Sequence, residues 1–286
     1  MDARKFLKTL LRGVSQVMLQ DNVATGVLFL AGIFINSWLM GVGAILGVLT
    51  STTAAILFRY EQKDIETGIY GFNGTLVGVA VFFFYGFSAV AVIAIIVGAV
   101  FSSIITYWMK KVKVPPYTAP FVISTWVLFF ILGRIGVHSQ AHPLVETNNL
   151  DWLVALGKGF GQVMFQNNAL TGAIFLLAIA ISSGLAALFA SSGAILGVLL
   201  PYLISFPLDA TNIGIFGFNA VLCGIAFVHG KKPSSFAYGL LAIITSIFIT
   251  YLMLKLNMTT LTAPFVLATW WVLAMKEKIV NKVQKI

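Results

Sequence analysis

Charged side chains are scarce in this sequence. Of its 286 residues, 59% are apolar and only 9% are charged, whereas soluble domains carry about 25% charged residues. A surface with so little charge cannot face water over most of its area, which excludes an ordinary soluble protein. We therefore predict an all-α integral membrane protein. A transmembrane helix takes roughly 20 residues, so about ten helices fit the chain and leave short loops.

Ionisable groups are nearly absent from the apolar segments. The acids are Asp2, Asp21, Glu61, Asp64, Glu66, Glu146, Asp151, Asp209 and Glu277, and the histidines are His138, His142 and His229. Only Asp21 lies near the start of an apolar segment, and the rest lie in termini, loops or helix ends. Because buried ionisable groups mark ion and proton pathways, this pattern argues against an ion-coupled symporter and indicates a neutral solute.

Catalytic and metal-binding groups are equally scarce. The single cysteine, Cys223, excludes a disulfide within the chain, and its apolar neighbours indicate a small buried side chain. No nucleophile–base pair or cluster of metal ligands is apparent. We predict no cofactor, no metal and no enzymatic activity.

The chain contains an internal repeat. Gln16–Ile35 aligns without gaps to Gln162–Ile181, with 11 of 20 positions identical. Three further blocks recur in the same order: GAILGV at Gly43–Val48 and Gly193–Val198, IYGFNGTL at Ile69–Leu76 as IFGFNAVL at Ile215–Leu222, and TAPFVISTW at Thr118–Trp126 as TAPFVLATW at Thr262–Trp270. We assign the first repeat to residues 1–140, a connector to 141–156 and the second repeat to 157–286.

Each repeat contains five apolar segments. They fall near 16–37, 41–58, 68–86, 88–109 and 116–133, and near 162–182, 185–206, 213–229, 234–254 and 259–275. An odd number of crossings starts the second copy on the opposite side of the membrane. We therefore predict ten helices in two inverted five-helix repeats, with tilted half-helices lining a central pore at their interface near mid-membrane.

The basic residues support this topology. Ten crossings from a cytoplasmic N-terminus place 15 of the 18 Lys and Arg residues inside and only Arg134, Lys158 and Lys255 outside, as the positive-inside rule requires. Both termini are thus predicted to be cytoplasmic and the connector extracytoplasmic. The net charge of +9 reports this topology, and nucleic acid is not expected as a partner.

Matched polar residues interrupt the apolar segments. The pairs are Gln16 and Gln162, Asn73 and Asn219, and Thr118 and Thr262. Amides and hydroxyls often bridge membrane helices, and we favour that role for the asparagines. We favour a pathway-lining role for the Gln and Thr pairs. Pro120 and Pro264, two residues after the threonines, are expected to bend their helices and free carbonyls beside a wet cavity.

These blocks resemble the bacterial branch of the urea transporter family. The residues that carry the resemblance are the two Q-V-M-[LF]-Q-[DN]-N blocks, the paired G-F-N turns and the paired T-A-P-F segments, in order over nearly the whole chain. The resemblance implies a homotrimer in a bacterial inner membrane, with one pore in each protomer. It also implies passive, selective flow of urea through a narrow filter of aromatic slots and hydrogen-bond acceptors.

The resemblance assigns filter positions residue by residue. Phe72 and Phe218 match the aromatic residues at the central constriction, and Leu76 and Leu222 match apolar residues that sandwich the solute. Thr118 and Thr262 match the central hydroxyls. Gln16, Val17, Gln162 and Val163 match residues toward the filter ends, and Leu19 and Phe165 occupy the outer slots.

Two positions depart from the family pattern. Leu19 stands where an aromatic residue is frequent, so one outer slot is expected to be less aromatic than the other at Phe165. Gln162 stands where some relatives carry Glu, which leaves no fixed negative charge there. The alternatives are a channel of the same build for another small neutral solute, such as ammonia, water or a short amide, and an ion-coupled symporter.

Overall fold

A computed structural model describes residues 1–140, 147, 149–228 and 233–283. Within these ranges the regular structure is helical throughout, and no strand occurs. The predicted all-α class is therefore confirmed.

The first half contains seven α-helices and one 3₁₀ turn. The helices are α1 (Ala3–Ser15), α2 (Val23–Asn36), α3 (Trp38–Leu57), α4 (Gln62–Glu66), α5 (Phe72–Tyr85), α6 (Ala89–Lys111) and α7 (Ala119–Arg134), and the 3₁₀ turn is Gln16–Met18.

The second half has the same order of elements. The helices are α8 (Trp152–Gly161), α9 (Ala169–Ser182), α10 (Gly184–Leu203), α11 (Leu208–Asn212), α12 (Ile215–Ala226), α13 (Pro233–Lys255) and α14 (Ala263–Val283), and the 3₁₀ turn is Gln162–Met164. Each half thus places a short helix before a mid-length apolar one, and each encloses that pair between two long helices.

The described helices differ in length from ten uniform spans. Four are long and apolar enough to cross a membrane alone, namely α3, α6, α10 and α13, the last over Ser235–Lys255. The pair α1 and α2 is bent by 74°, and the pair α8 and α9 by 73°. Helices α5, α7 and α12 are shorter apolar helices. The apolar segments predicted near 16–37 and 162–182 are therefore not continuous helices, because the Gln block at the start of each forms a sharp bend.

Local backbone chemistry explains these bends. Leu19 and Phe165 end the two 3₁₀ turns in the left-handed conformation, with φ of 58° and 61°, which costs an L-residue roughly 1–2 kcal/mol. Asn22 and Asn168 then start the next helices, each accepting a hydrogen bond from a backbone N–H three residues on. A side-chain acceptor at this position stabilises a helix start.

The two halves meet along α2 and α9. The Thr25 hydroxyl donates to the Ala178 carbonyl at 2.8 Å, and the Thr171 hydroxyl donates to the Gly32 carbonyl at 3.1 Å. The start of each helix therefore lies beside the later part of the other, so the two helices run antiparallel. Phe29 and Phe175 pack edge to face between them, with ring centroids 4.9 Å apart.

Candidate functional site

A hydroxyl pair joins the two halves at the starts of α7 and α14. The Thr262 hydroxyl donates to the Thr118 hydroxyl at 2.7 Å, and both side chains are buried. Each threonine follows a residue in the left-handed conformation, Tyr117 at φ 42° and Leu261 at φ 45°. The structure thus brings together two residues that lie 144 positions apart and were predicted to be central.

The prolines play a different part from the one expected. Pro120 and Pro264 are the second residues of α7 and α14, where a missing N–H breaks no helical hydrogen bond. The expectation that they bend a helix is wrong, because each belongs to a helix start.

Two asparagines clamp these helix starts. Asn73 donates to the Tyr117 carbonyl at 3.2 Å and accepts from the Phe121 N–H at 3.0 Å. Asn219 does the same with Leu261 at 3.3 Å and Phe265 at 3.1 Å. The predicted bridging role of the asparagine pair agrees with these contacts. Each amide holds the turn that carries the central threonine against α5 or α12.

The predicted aromatic and leucine residues lie on α5 and α12. Phe72 begins α5 and Phe218 lies in the first turn of α12. Leu76 and Leu222 follow one turn later and are fully buried. Because residues four apart share one face of a helix, each Phe–Leu pair presents a continuous apolar surface.

The residues of the two bends differ in their surroundings. Gln16 donates to the Thr67 carbonyl at 3.1 Å, whereas Gln162 lines a cavity. Val17 and Val163 are buried within the 3₁₀ turns. Phe165 is half-buried and lines the same cavity as Gln162.

That cavity has a volume of about 1310 Å³. Its lining includes Gln162, Phe165, Phe218 and Leu261, the last directly before Thr262. Residues 149–154 and the loop before α14 also line it. Three of the lining residues are charged, namely Asp151, Lys158 and Asp209. Three of the predicted site residues of the second half therefore share one concave space, while Gln16, Leu19 and Phe72 of the first half lie outside it.

Comparison with known proteins decides the family. A sequence model described as "Urea transporter" matches residues 7–277. The chain belongs to the urea transporter family. It is 31% identical to "Urea transporter 1" of Rattus norvegicus, covering 93% of this chain and 76% of that protein. It is 28% identical to "Urea transporter 1" of Ovis aries, covering 98% and 79%, and 28% identical to that of Mus musculus, covering 97% and 79%.

Two tryptophans of this urea transporter family member were not predicted to matter. Trp126 donates from its indole N–H to the Thr259 carbonyl at 3.0 Å, and Trp270 donates to the Pro115 carbonyl at 2.9 Å. Each therefore ties the helix of one half to the loop that precedes the central threonine of the other. The repeated T-A-P-F-V-x-x-T-W block contained this signal, since its final Trp is identical in both copies.

Ion pairs distinguish the α1 side of the transporter. Lys5 pairs with Glu66 at 2.7 Å, Arg12 pairs with Asp21 at 3.1 Å, and Lys110 pairs with Asp64. A hydrogen bond from Lys5, and a second from Gln62, lower the pKa of the Glu66 carboxyl below its ordinary value. The positions 146 residues after Lys5 and Glu66 are Asp151 and Asn212, where the Asp151 N–H donates to the Asn212 amide oxygen at 3.0 Å.

The possible metal ligands are dispersed in the described part of the chain. No group of three or more His, Cys, Asp or Glu residues converges there in a way that could hold an ion. His142 and His229 lie outside the described residues.

Proposed function

We propose that this chain is a passive urea channel whose pathway runs between the two halves past the Thr118–Thr262 pair. The observation that carries the proposal is this hydroxyl pair at the junction of the halves, next to a cavity that contains Gln162, Phe165 and Phe218. Membership of the urea transporter family supplies the solute.

The proposed topology is ten crossings in two inverted repeats, residues 1–140 and 157–286, joined by a connector over 141–156. The antiparallel contact of α2 and α9 supports it, as does the charge distribution, with 15 of 18 basic residues on one side. Each of the four long helices would then cross the membrane alone, whereas the shorter helices and the bent pairs would make the remaining crossings. We expect both termini inside the cell, and the wide cavity on the outer face.

The proposed filter suits the shape of urea. Urea is flat, with one carbonyl acceptor and four N–H donors around its edge. Apolar walls at Phe72, Leu76, Phe218 and Leu222 would hold its faces. The threonine hydroxyls keep lone pairs to accept from its N–H groups.

Polar acceptors along such a slot would make conduction possible. A buried polar group without a partner costs about 1–3 kcal/mol, so a solute moving between apolar walls needs an acceptor at each step. Gln16 and Gln162 would serve at the two ends and the hydroxyls at the centre. No single site should bind tightly, since rapid flow needs easy release.

Transport should be independent of ion gradients. None of the nine acids lies deep within an apolar segment of the sequence, and ion coupling requires such groups. The chain is accordingly proposed to act as a transporter and not as an enzyme.

The assembly is proposed to be a homotrimer with one pore in each protomer, in a bacterial inner membrane. The resemblance to the bacterial branch of the family supports this proposal. The mass of the detergent-solubilised protein, measured by light scattering with the detergent contribution subtracted, would test the trimer.

Stopped-flow shrinkage of proteoliposomes tests the function. Vesicles holding the purified chain should equilibrate urea far faster than protein-free vesicles and faster than they equilibrate glycerol or thiourea. The rate should not change when proton and sodium gradients are collapsed. A rate equal to that of empty vesicles, or uphill accumulation driven by either gradient, would contradict the proposal, and faster ammonia or water flow alone would favour another neutral solute.

A further inference from the structure

Helix α5 is longer than its counterpart α12 at the end that reaches the cavity. The spacing of 146 residues matches Ile215–Ala226 of α12 to residues 69–80 of the first half. Helix α5 continues to Tyr85, so one extra turn has no equivalent in α12. That turn reads Phe82, Phe83, Phe84 and Tyr85.

Two rings of the extra turn reach the outer slot position of the other half. The ring centroid of Phe83 lies 5.3 Å from that of Phe165, and the centroid of Phe84 lies 5.8 Å from it. All three rings are half-buried and line the 1310 Å³ cavity. Aromatic pairs at such distances stabilise each other beyond simple burial.

Neighbouring groups fix the position of this turn. Phe84 packs edge to face on Phe129 of α7, with centroids 4.9 Å apart. The Gln140 N–H donates to the Phe84 carbonyl at 2.6 Å. These contacts hold Phe84 in place, and both rings line the cavity together with Gln162.

We propose that Phe83 and Phe84 are specificity-determining residues, which complete with Phe165 an aromatic entrance that admits flat, unsubstituted amides and rejects broader ones. The inference rests on the proposed urea pathway and extends it to residues that lie outside the repeated motifs. The three rings contact one another and leave no gap between them, so a solute passes beside them. Their bulk narrows the way toward Gln162, and N-methyl groups widen the solute.

The entrance is specific to one side of the molecule. The positions 146 residues after Phe83 and Phe84 are His229 and Gly230, and the counterpart of Phe165 is Leu19. All three positions of the aromatic entrance are thus phenylalanine, and none of their three equivalents under the repeat is. Selection against substituted amides should therefore occur at the side of the molecule that holds the cavity.

Paired solute measurements test the proposal. Proteoliposomes with F83L, F84L or the double variant should pass N,N′-dimethylurea faster relative to urea, with the permeability ratio raised about three- to tenfold over the parental chain. Phe87 follows the same helix but is 72% exposed, so F87L is the matched control and should keep the parental ratio. Parental vesicles without urea flux would contradict the proposed function itself, whereas parental flux with an unchanged ratio in the double variant would overturn this inference alone.

A labelling measurement guards against variants that fold poorly. F84C in a C223A background should react with a small membrane-impermeant thiol reagent added from the connector side, and saturating urea should slow the reaction. No reaction in folded protein, or reaction only from the opposite side, would overturn the placement of Phe84 at the entrance.

Discussion

The two ends of the proposed pathway share one backbone plan and differ in chemistry. Gln16 and Gln162 occupy equivalent 3₁₀ turns, each followed by a left-handed residue. At the first end that residue is Leu19, and three ion pairs lie near α1. At the second end it is Phe165, packed against three further rings and lining a large cavity. The repeat therefore determines where the equivalent side chains lie, and the differences between the two copies determine which solutes each end admits.

Adding a side chain where the two helices of each bent pair touch should have the largest effect, and it should affect both halves alike. A side chain at Gly26 would collide with the Leu11 carbonyl, and one at Gly172 with the Gly157 carbonyl. Gly26→Val and Gly172→Val should each destabilise the fold by about 3 kcal/mol or more, seen as loss of monodisperse protein in detergent. Gly133 has no atom within 4 Å of the added Cβ, so Gly133→Val is the control. A well-folded Gly26→Val chain would contradict the close contact between α1 and α2.

The asparagine clamps should rank next and should differ slightly. Asn73→Leu leaves the Tyr117 carbonyl and the Phe121 N–H unpaired and also loses a 3.4 Å contact with Thr106. Asn219→Leu leaves only two groups unpaired. At about 1–3 kcal/mol for each buried unpaired group, both should lower the thermal midpoint and the urea flux, Asn73→Leu more. Equal midpoints for both variants and the parental chain would show that the clamps do not position the central threonines.

Exchanging the outer slot residues should have a moderate effect, of opposite sign at the two ends. Leu19→Phe should lower the urea concentration that half-saturates flux, and Phe165→Leu should raise it. An aromatic contact worth about 0.5–1.5 kcal/mol gives a shift of roughly two- to tenfold. The double exchange should restore a value near the parental one. If both single variants half-saturate at the parental urea concentration, Leu19 and Phe165 do not lie on the pathway.

The ion pair at Glu66 should give the smallest effect, confined to the first half. Lys5 and Gln62 lower the pKa of the Glu66 carboxyl, so the Lys5–Glu66 ion pair stabilises the fold at neutral pH. That stabilisation is lost as the pH falls below the ordinary carboxyl value of about 4.3 toward the lower folded value. The thermal midpoint of Glu66→Gln should therefore fall less between pH 7 and pH 3.5 than that of the parental chain. The same fall in both would show that the pair contributes nothing.

Sequence reasoning located the shared framework better than the local backbone. The identical T-A-P-F blocks matched Thr118 and Thr262 as equivalent positions, and the structure joins their hydroxyls by a hydrogen bond. The bends at Leu19 and Phe165 could not be foreseen, because a left-handed leucine or phenylalanine is held by surrounding packing and runs against its own preference. The hydropathy pattern did not reveal the bends either, because a 3₁₀ turn between two apolar helices is as apolar as one continuous span. Phe83 and Phe84 were missed because they lie outside any repeated block, and only the longer α5 brings them to Phe165.

Chemical blockage at the centre tests the pathway most directly. In a C223A background, T118C would be treated with methyl methanethiosulfonate, and modification and urea flux would be followed in the same proteoliposomes. Ile123 lies on α7, the helix that follows Thr118, and is 41% exposed, so I123C is the control. Modified T118C should fall to the rate of protein-free vesicles, while modified I123C should keep its rate. Fully modified T118C that conducts urea at its unmodified rate would contradict a pathway past the threonine pair.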